Sequence, residues 1–251
     1  MNIAACIKRV PATETQAKVA ADGKGLDPTG VEYMISFYDE IAVEEAIRTK
    51  EKHGGEVSVL ALGPSETSKE IRTCLAKGAD RGVLVVDDAW ASRDCRSTAV
   101  MLADAIRKSG AELVFTGRLA TDRDNAAVGP MVATLLGWAC VTDVIELDVG
   151  ADGSGTAKRE SEAGVEHFQF SLPAVITCQK DLNEPRFAAL KGIMAAKKKP
   201  IEEVPCEAVE GQTEVVGVSL PPPRPEGRIV GEGVDAVAPL MEALRNEAKV
   251  L

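Results

Sequence analysis

The sequence lacks the short motifs that identify several common families of enzymes and nucleotide-binding proteins. Neither the Walker-type pattern GxxxxGK(S/T) nor the dinucleotide pattern GxGxxG is present, and the GxSxG motif of many hydrolases is also missing. These absences count against two common nucleotide-binding folds and against a serine hydrolase. Histidine occurs only at positions 53 and 167, so a catalytic triad or a zinc site has few candidate residues.

Cysteine spacing and charge exclude further classes. The six cysteines form no CxxC pair, and we expect them, Cys206 included, to be small buried hydrophobic residues in a reducing compartment. The formal net charge of -10 argues against nucleic acid as a partner, because affinity for its backbone comes from Lys and Arg. No apolar run approaches the ~20 residues of a membrane-spanning helix. No secretory signal pattern is seen, so we expect a soluble intracellular protein without membrane insertion.

What the sequence does contain is an alternation of short Val, Ile and Leu runs with longer segments of helical spacing. Predicted strands lie at 3–7, 57–62, 82–86 and 113–116, and predicted helices at 40–52, 67–77, 97–108 and 126–136, with Asp39, Ser65 and Asp94 or Ser97 as N-caps. This alternation predicts an α/β fold with a doubly wound, mainly parallel sheet. Ligands of such sheets bind beyond the carboxyl ends of the strands.

The pattern changes after residue 138. Residues 141–147, 156–160 and 165–172 predict a small antiparallel hairpin excursion, and residues 173–178 predict another buried strand. From residue 200 onward prolines interrupt any regular element, so an extended C-terminal arm at 201–251, ending in an amphipathic helix at 235–249, is expected to follow an α/β nucleotide-binding domain at 1–200. Such an arm either folds back on its own sheet or wraps and packs on a partner subunit.

Four segments, in this order, resemble the electron transfer flavoprotein β-subunit family. They are DEIAVEEA at 39–46, GADRG at 78–82, the hairpin segment 158–177 with KRE, VE and LPAVIT, and LNEPRF at 182–187. The resemblance covers about residues 1–200 and implies an adenine nucleotide α-hydrolase-like, Rossmann-like fold. It also implies a heterodimer in which the electron transfer flavoprotein α subunit carries an FAD, while this chain holds an adenine nucleotide of its own.

The identity of that nucleotide follows from two further resemblances. The sequence AVGP at 127–130 is similar to the Val-Gly-Pro type of the FAD-holding, electron-bifurcating members, and so is DDAWA at 87–91 together with Asp94 and Thr98. We therefore expect FAD in this subunit, with AMP as the alternative. Arg123 and Ala127 depart from the family pattern, as does SFY at 36–38. The Arg123 guanidinium either approaches the diphosphate or faces solvent.

The loop at 117–130 connects a strand to a helix, so its backbone amides and the helix dipole favour a phosphate there. The alternative is a plain capped helix without a ligand. Asp122 and Asp124 are expected to fix the shape of the loop, and Gly129 to let a phosphate approach closely. The predicted cofactor-binding residues are Cys6, Lys8, Ser36, Asp39, Gly63, Asp94, Thr98, Gly117, Asp122, Asp124, Asn125, Ala126, Ala127, Val128, Gly129 and Pro130. We predict no catalytic residue and no metal site, since the chemistry belongs to the flavin.

Residues 186–196 resemble the family's recognition loop, whose exposed leucine enters an apolar pocket on acyl-CoA dehydrogenases. Leu190 takes that position, and Ile193 and Met194 complete the predicted partner-binding residues. The alternative is that these three side chains are helix-spaced core residues.

The resemblance thus implies an electron carrier that accepts electrons from, or delivers them to, acyl-CoA dehydrogenase-type flavoenzymes in fatty acid oxidation. A variant has NADH-linked electron bifurcation at a β-subunit FAD. The expected location is the bacterial cytoplasm, with the mitochondrial matrix as the alternative. A stand-alone nucleotide-binding regulatory module is the competing function from another class.

Overall fold

The computed structural model describes residues 1–205, 207, 209–224 and 226–251, so Cys206 lies outside the described residues. The chain divides into two compact units, Met1–Val218 and Ser219–Leu251. The first unit contains, in chain order, β1 Asn2–Ile7, β2 Arg9–Pro11, β3 Tyr33–Ile35, α1 Phe37–His53, β4 Glu56–Gly63, α2 Ser68–Lys77, β5 Arg81–Val86, α3 Cys95–Ser109, β6 Leu113–Gly117, α4 Val128–Leu136, β7 Ala139–Val149, β8 Ser154–Ser161, β9 Gly164–Ser171, β10 Ala174–Cys178, α5 Leu190–Ala196 and β11 Ile201–Pro205.

The main sheet reverses direction next to its first strand. Across the described residues its order is β11-β5-β4-β1-β6-β10-β7-β8-β9. The chain therefore proceeds from β1 outward through β4 and β5, then crosses to the other side of β1 to form β6, and β1 is parallel to both β4 and β6. In such a sheet the carboxyl ends of β1 and β6 border a crevice, which is the usual ligand position in this class of fold.

Each central strand supplies side chains to two cores, because successive residues of a strand point to opposite faces. Ile3 and Phe115 belong to the core beneath α1 and α2, whereas Ala4 and Val114 belong to the core beneath α3 and α4. Both faces of β1, β6 and β10 are buried, which explains their uninterrupted apolar sequences. The predicted doubly wound α/β sheet is confirmed.

The helix starts match the predicted N-caps only at α3. The Asp94 carboxylate accepts a hydrogen bond from the Ser97 amide and caps α3. Asp39 does not cap α1, because that helix begins earlier, after Ser36, and Asp39 lies inside its first turn. Ser65 lies in a short 3-10 turn, Ser65–Thr67, ahead of α2.

The predicted hairpin extends the main sheet. β7 is parallel to β10, whereas β8 is antiparallel to both β7 and β9. On one face Ala157 is buried and Leu147 and Phe168 pack against the core beneath α1, and the other face carries polar residues. The remaining antiparallel pair, β2 with β3, lies in the insertion between β1 and α1.

Residues after Pro200 contain more regular structure than the prolines predicted. β11 pairs with β5 in parallel register as an edge strand, a position in which a terminal proline such as Pro205 is tolerated. In the second unit a 3-10 turn at Val234–Ala236, α6 Val237–Glu242 and a π-helical turn at Ala243–Glu247 cover most of the predicted terminal helix. The division at residue 200, and the packing of the arm on a partner, stay predictions.

Among the described residues, no helix combines the length and apolarity required to cross a bilayer.

Candidate functional site

The carboxylate of Asp39 lies between the carboxyl ends of β1 and β6, which border the expected crevice. Its Oδ2 accepts a hydrogen bond of 2.8 Å from the Lys8 amide, directly after β1, and its Oδ1 accepts one of 2.9 Å from the Gly117 amide at the end of β6. Asp39 is buried, and this burial raises its pKa to about 7 although both amide hydrogen bonds lower it. A Cβ on Gly117 would collide with Asp39 Oδ1, so only glycine fits at the end of β6. One side chain thus ties together the two strand ends that border the crevice.

The loop after β6 is held to the same edge by polar contacts. Lys8 Nζ lies 2.6 Å from Asp122 Oδ2, so the two charges neutralise each other beside the crevice. Asp124 and Ala126 have φ of 51° and 50°, the left-handed region that costs a non-glycine residue roughly 1–2 kcal/mol. The backbone of the loop is therefore strained at these two positions, and the expected role of Asp122 and Asp124 in fixing its shape stays a prediction.

Arg123 is exposed, as in the solvent-facing alternative considered from the sequence, and its approach to a diphosphate stays a prediction. Its guanidinium donates hydrogen bonds to the backbone carbonyls of Ala91 and Arg93. It therefore connects the loop after β6 to the turn after β5. The Asn125 side chain makes a second connection, since its Nδ2 lies 3.2 Å from Cys95 Sγ at the start of α3.

Helix α4 begins at this edge and presents backbone N–H donors. Its first residues are Val128, Gly129 and Pro130, and the Met131 amide is bonded to the Ala127 carbonyl. The amides that precede Met131 have no acceptor within the helix, and proline contributes none, so Val128 and Gly129 supply the donors. Together with the helix dipole they form a suitable environment for a phosphate.

Gly129 has a packing role that the sequence did not reveal. A Cβ at this position would lie 2.8 Å from both Thr116 Oγ1 and Thr177 Cγ2. Glycine is therefore required for α4 to lie directly on β6 and β10. The expected close approach of a phosphate at Gly129 stays a prediction.

Asp94 makes its hydrogen bonds within the protein. Oδ1 accepts from the Ser97 amide at 2.7 Å, while Oδ2 accepts from the amides of Gln212 and Thr213 at 2.5 and 3.1 Å. These hydrogen bonds, with those from Ser97 the largest, lower the pKa of Asp94 to about 2. The carboxylate thus holds residues 212–213 against the start of α3, a contact between distant segments that had no sequence signal. Thr98 lies in the first turn of the same helix and is half-buried.

The remaining predicted residues line the edge from neighbouring elements. The Ser36 hydroxyl is 3.4 Å from the Thr121 amide. Gly63 ends β4, where a Cβ would collide with the Thr67 hydroxyl. Cys6 is buried in β1, and burial raises the pKa of its thiol to about 12. Its thiol is therefore neutral and contributes packing and not redox chemistry.

The predicted partner-binding side chains are exposed on α5. Leu190, Ile193 and Met194 are 77%, 45% and 57% exposed, and Phe187, which was not predicted, is 97% exposed. The alternative that the first three are core residues is therefore wrong. Ala196 is the buried residue of the helix. Leu190, Ile193 and Met194 are spaced i, i+3 and i+4 on one face of α5, and together with the preceding Phe187 they are called here the α5 patch.

A separate depression of about 490 Å³ lies on the polar face of β7, β8 and β9. Glu146, Lys158 and His167 are among its lining residues, and it includes none of the predicted binding residues. Its charges are mixed, and the exposed Lys158 ammonium pairs with Glu146 at 2.8 Å. This surface therefore offers less to a nucleotide than the crevice between β1 and β6.

Comparison with known proteins identifies the family of the chain. Residues 25–209 match the family model described as electron transfer flavoprotein domain. The chain is 36% identical over 261 aligned positions to the electron transfer flavoprotein subunit beta of Bacillus subtilis, with all of both chains covered. It is 38% identical to the subunit beta of Syntrophomonas wolfei over 252 positions, covering all of this chain and 98% of the other. The mitochondrial subunit beta of Oryza sativa subsp. japonica is 36% identical over 258 positions, with both chains covered in full. The chain therefore belongs to the electron transfer flavoprotein β-subunit family.

Proposed function

We propose that this chain is the β subunit of a heterodimeric electron transfer flavoprotein and exchanges electrons with acyl-CoA dehydrogenase-type flavoenzymes. Family membership implies an electron transfer flavoprotein α subunit as partner, and that subunit carries an FAD in the proposed complex. The observation that carries the proposal is the crevice between β1 and β6, where the Asp39 clamp and the first amides of α4 meet. No catalytic side chain is required, because the flavin supplies the electron chemistry and the protein supplies its environment.

We propose FAD as the nucleotide of this subunit. The donors at the crevice suit a diphosphate, because the amides of Val128 and Gly129 lie at the positive end of the helix dipole. The negative charge of the nearby Asp122 is already paired with Lys8. The AVGP sequence at 127–130 and the turn at 87–94 support the flavin through their resemblance to flavin-holding members. The same proposal includes NADH-linked electron bifurcation at this FAD.

AMP is the second candidate, and one observation favours it. Asp94 belongs to the segment that resembles the flavin-contacting loop of the flavin-holding members. In this chain, however, both carboxylate oxygens of Asp94 already accept hydrogen bonds from backbone amides. A third candidate, the stand-alone regulatory module, requires a stable, colourless monomer that binds ATP or AMP.

The nucleotide content of the purified heterodimer tests these candidates. The complex is denatured, and the released FAD and AMP are quantified by chromatography against protein concentration. We expect two FAD per heterodimer and reduction of flavin by NADH. One FAD with one AMP would overturn the FAD proposal but keep the electron carrier, and a chain that purifies alone without flavin would overturn both.

We further propose that the α5 patch binds the dehydrogenase, with Leu190 as its central side chain. An exposed apolar side chain that becomes buried in a partner's pocket contributes most of the affinity of a transient complex. Leu190→Ala should therefore raise the KM for the dehydrogenase while dimer assembly and flavin content are unchanged. The matched control is Val165→Ala, which shortens an exposed apolar side chain on β9. Normal electron transfer by the Leu190 variant would contradict this assignment.

A further inference from the structure

The short helix α5 is held on the protein by α2 and not by its own hydrogen bonds. It has only seven residues, Leu190–Ala196, and a helix of this length is unstable in water without tertiary contacts. Gly192 lies directly against the backbone of α2, because a Cβ there would collide with the Ala76 carbonyl oxygen. The face of α5 opposite the exposed patch therefore has almost no space for movement toward α2.

The carboxyl ends of α2 and α5 cap each other with one basic side chain in each direction. Arg72 of α2 donates from Nη1 to the carbonyl oxygens of Ala196 and Lys199, at 2.6 and 2.8 Å. Lys199 donates from Nζ to the carbonyl oxygens of Leu75 and Ala79, at 3.0 and 2.5 Å. These carbonyls lie at or just beyond helix ends, where acceptors have no partner within the helix. The exchange therefore fixes the end of α5 relative to α2.

A second arginine fixes the segment that leads into α5. Arg186 makes a bidentate contact to Glu44 on α1, with Nε to Oε2 at 2.9 Å and Nη2 to Oε1 at 3.0 Å. It also binds Glu51, about two turns further along α1, with Nη1 to Oε1 at 2.5 Å. Glu44 is buried, and its side chain receives a further bond from Arg48 at 3.0 Å. Paired planar contacts of this kind fix orientation as well as distance.

We propose that Arg72 and Arg186 are positioning residues that hold the α5 patch in its binding orientation before the partner arrives. The inference rests on the proposed binding of the dehydrogenase through Leu190. Neither arginine needs to touch the partner, because both act on the backbone or on α1 behind the patch. A rigid patch loses less conformational freedom on binding, so the contacts raise affinity without adding contact area.

Arg72→Gln is the main test, measured in the full heterodimer with dehydrogenase-dependent flavin reduction. The KM for the dehydrogenase should rise about three- to tenfold, the effect of losing the order of one or two side chains, while kcat and flavin content stay unchanged. Arg72→Lys, which retains one charged donor, should recover part of the loss. Amide hydrogen exchange at 190–196 should become faster in the glutamine variant.

The matched control is Arg81→Gln. Arg81 also donates to a carbonyl near a helix end, Ser109 at 3.1 Å, and pairs with Glu56, but it has no contact with α5 among the described residues. A general loss of stability would affect both variants, whereas a positioning role changes KM only in the Arg72 variant. Equal KM for the variants at positions 72 and 81 would overturn the inference.

The double variant Arg72→Gln/Leu190→Ala separates the two proposals. If Arg72 acts through the orientation of Leu190, the KM of the double variant should equal that of Leu190→Ala, since the effects of energetically coupled sites are not additive. Multiplicative effects of the two substitutions would overturn the inference and leave the binding role of Leu190 intact. A Leu190 variant with unchanged KM would overturn the binding proposal itself.

Discussion

Replacing the carboxyl group of Asp39 by an amide should change the pH dependence of stability. Burial raises the pKa of Asp39 from 3.8 to about 7, despite the hydrogen bonds from the amides of Lys8 and Gly117. Between these two values the folded protein keeps a proton on Asp39 that the unfolded chain has released. The folded state therefore binds more protons, and its free energy of unfolding falls as the pH rises through this window.

The size of the effect follows from the difference between the two pKa values. About 3 pH units at 1.36 kcal/mol each correspond to about 4 kcal/mol of stability, present below the lower value and lost above the higher one. Asp39→Asn removes the titration but turns an N–H group toward one of the two backbone donors. The lost hydrogen bond costs about 1–3 kcal/mol at every pH. The variant should therefore be less stable than the wild type at acidic pH and equally or more stable at alkaline pH.

The stabilities of Asp39→Asn and the wild type can be compared by urea unfolding across this pH range. The heterodimer is kept at one fixed concentration, because assembly contributes to stability. Asp94→Asn is the control, because the pKa of Asp94 is shifted in the opposite direction to that of Asp39. Hydrogen bonds, those from Ser97 foremost, lower the pKa of Asp94 to about 2, so its contribution is complete above the unfolded value and is lost only as the pH falls toward 2. Above the pKa that Asp94 has in the unfolded chain, the free energy of unfolding of Asp94→Asn should therefore change with pH in parallel with that of the wild type. If the free energy of unfolding of Asp39→Asn also changed with pH in parallel with that of the wild type, the reasoning would be refuted.

Two further predictions concern packing and thiol reactivity. Gly129→Ala places a Cβ 2.8 Å from Thr116 Oγ1, so we expect a loss of about 1–3 kcal/mol and lower nucleotide content after gel filtration. Gly25→Ala, which meets no atom within 4 Å, is the control, and equal nucleotide content would contradict the prediction. Cys6, with a pKa raised to about 12 by burial, should resist iodoacetamide at neutral pH. Desolvation also raises the pKa of Cys140, but its side chain is exposed, so Cys140 should react faster than Cys6, as judged by mass spectrometry. Alkylation of Cys6 before Cys140 would contradict the assignment.

The main sheet could be predicted because its strands are buried on both faces and carry continuous apolar runs. Residues 57–62 and 113–116 were predicted as strands, and β4 and β6 extend them by one residue at most at either end. The three-residue strands β2 and β3 were not predicted, since three residues are too few for a periodic pattern. β11 was missed for another reason: it is a short edge strand in which Glu202 and Glu203 interrupt the apolar residues and no residue is buried.

The site could be predicted only as far as the sheet topology determines it. Lys8 follows β1, Gly117 ends β6 and Asp122 lies in the loop after it, so a parallel sheet brings them to the same edge whatever the details of packing. The roles of Asp94 and Arg123 required the tertiary structure, because both bind backbone groups of segments that are distant or folded into turns. The predicted start of α1 was wrong for a similar reason. Asp39 was expected to cap the helix, but its carboxylate binds the end of β6 instead.

The absence of a known phosphate motif is compatible with the proposed phosphate site for a physical reason. The proposed donors are main-chain amides of Val128 and Gly129, and any residue except proline can supply an amide. Sequence constraint arises instead from the packing behind the donors, where Gly117 must accommodate Asp39 and Gly129 must lie against β6. These glycines are twelve residues apart on different elements, so no compact pattern such as GxGxxG can describe them. Substitutions within the loop, such as Arg123 and Ala127, are therefore compatible with nucleotide binding provided that the two glycines and the Asp39 clamp are retained.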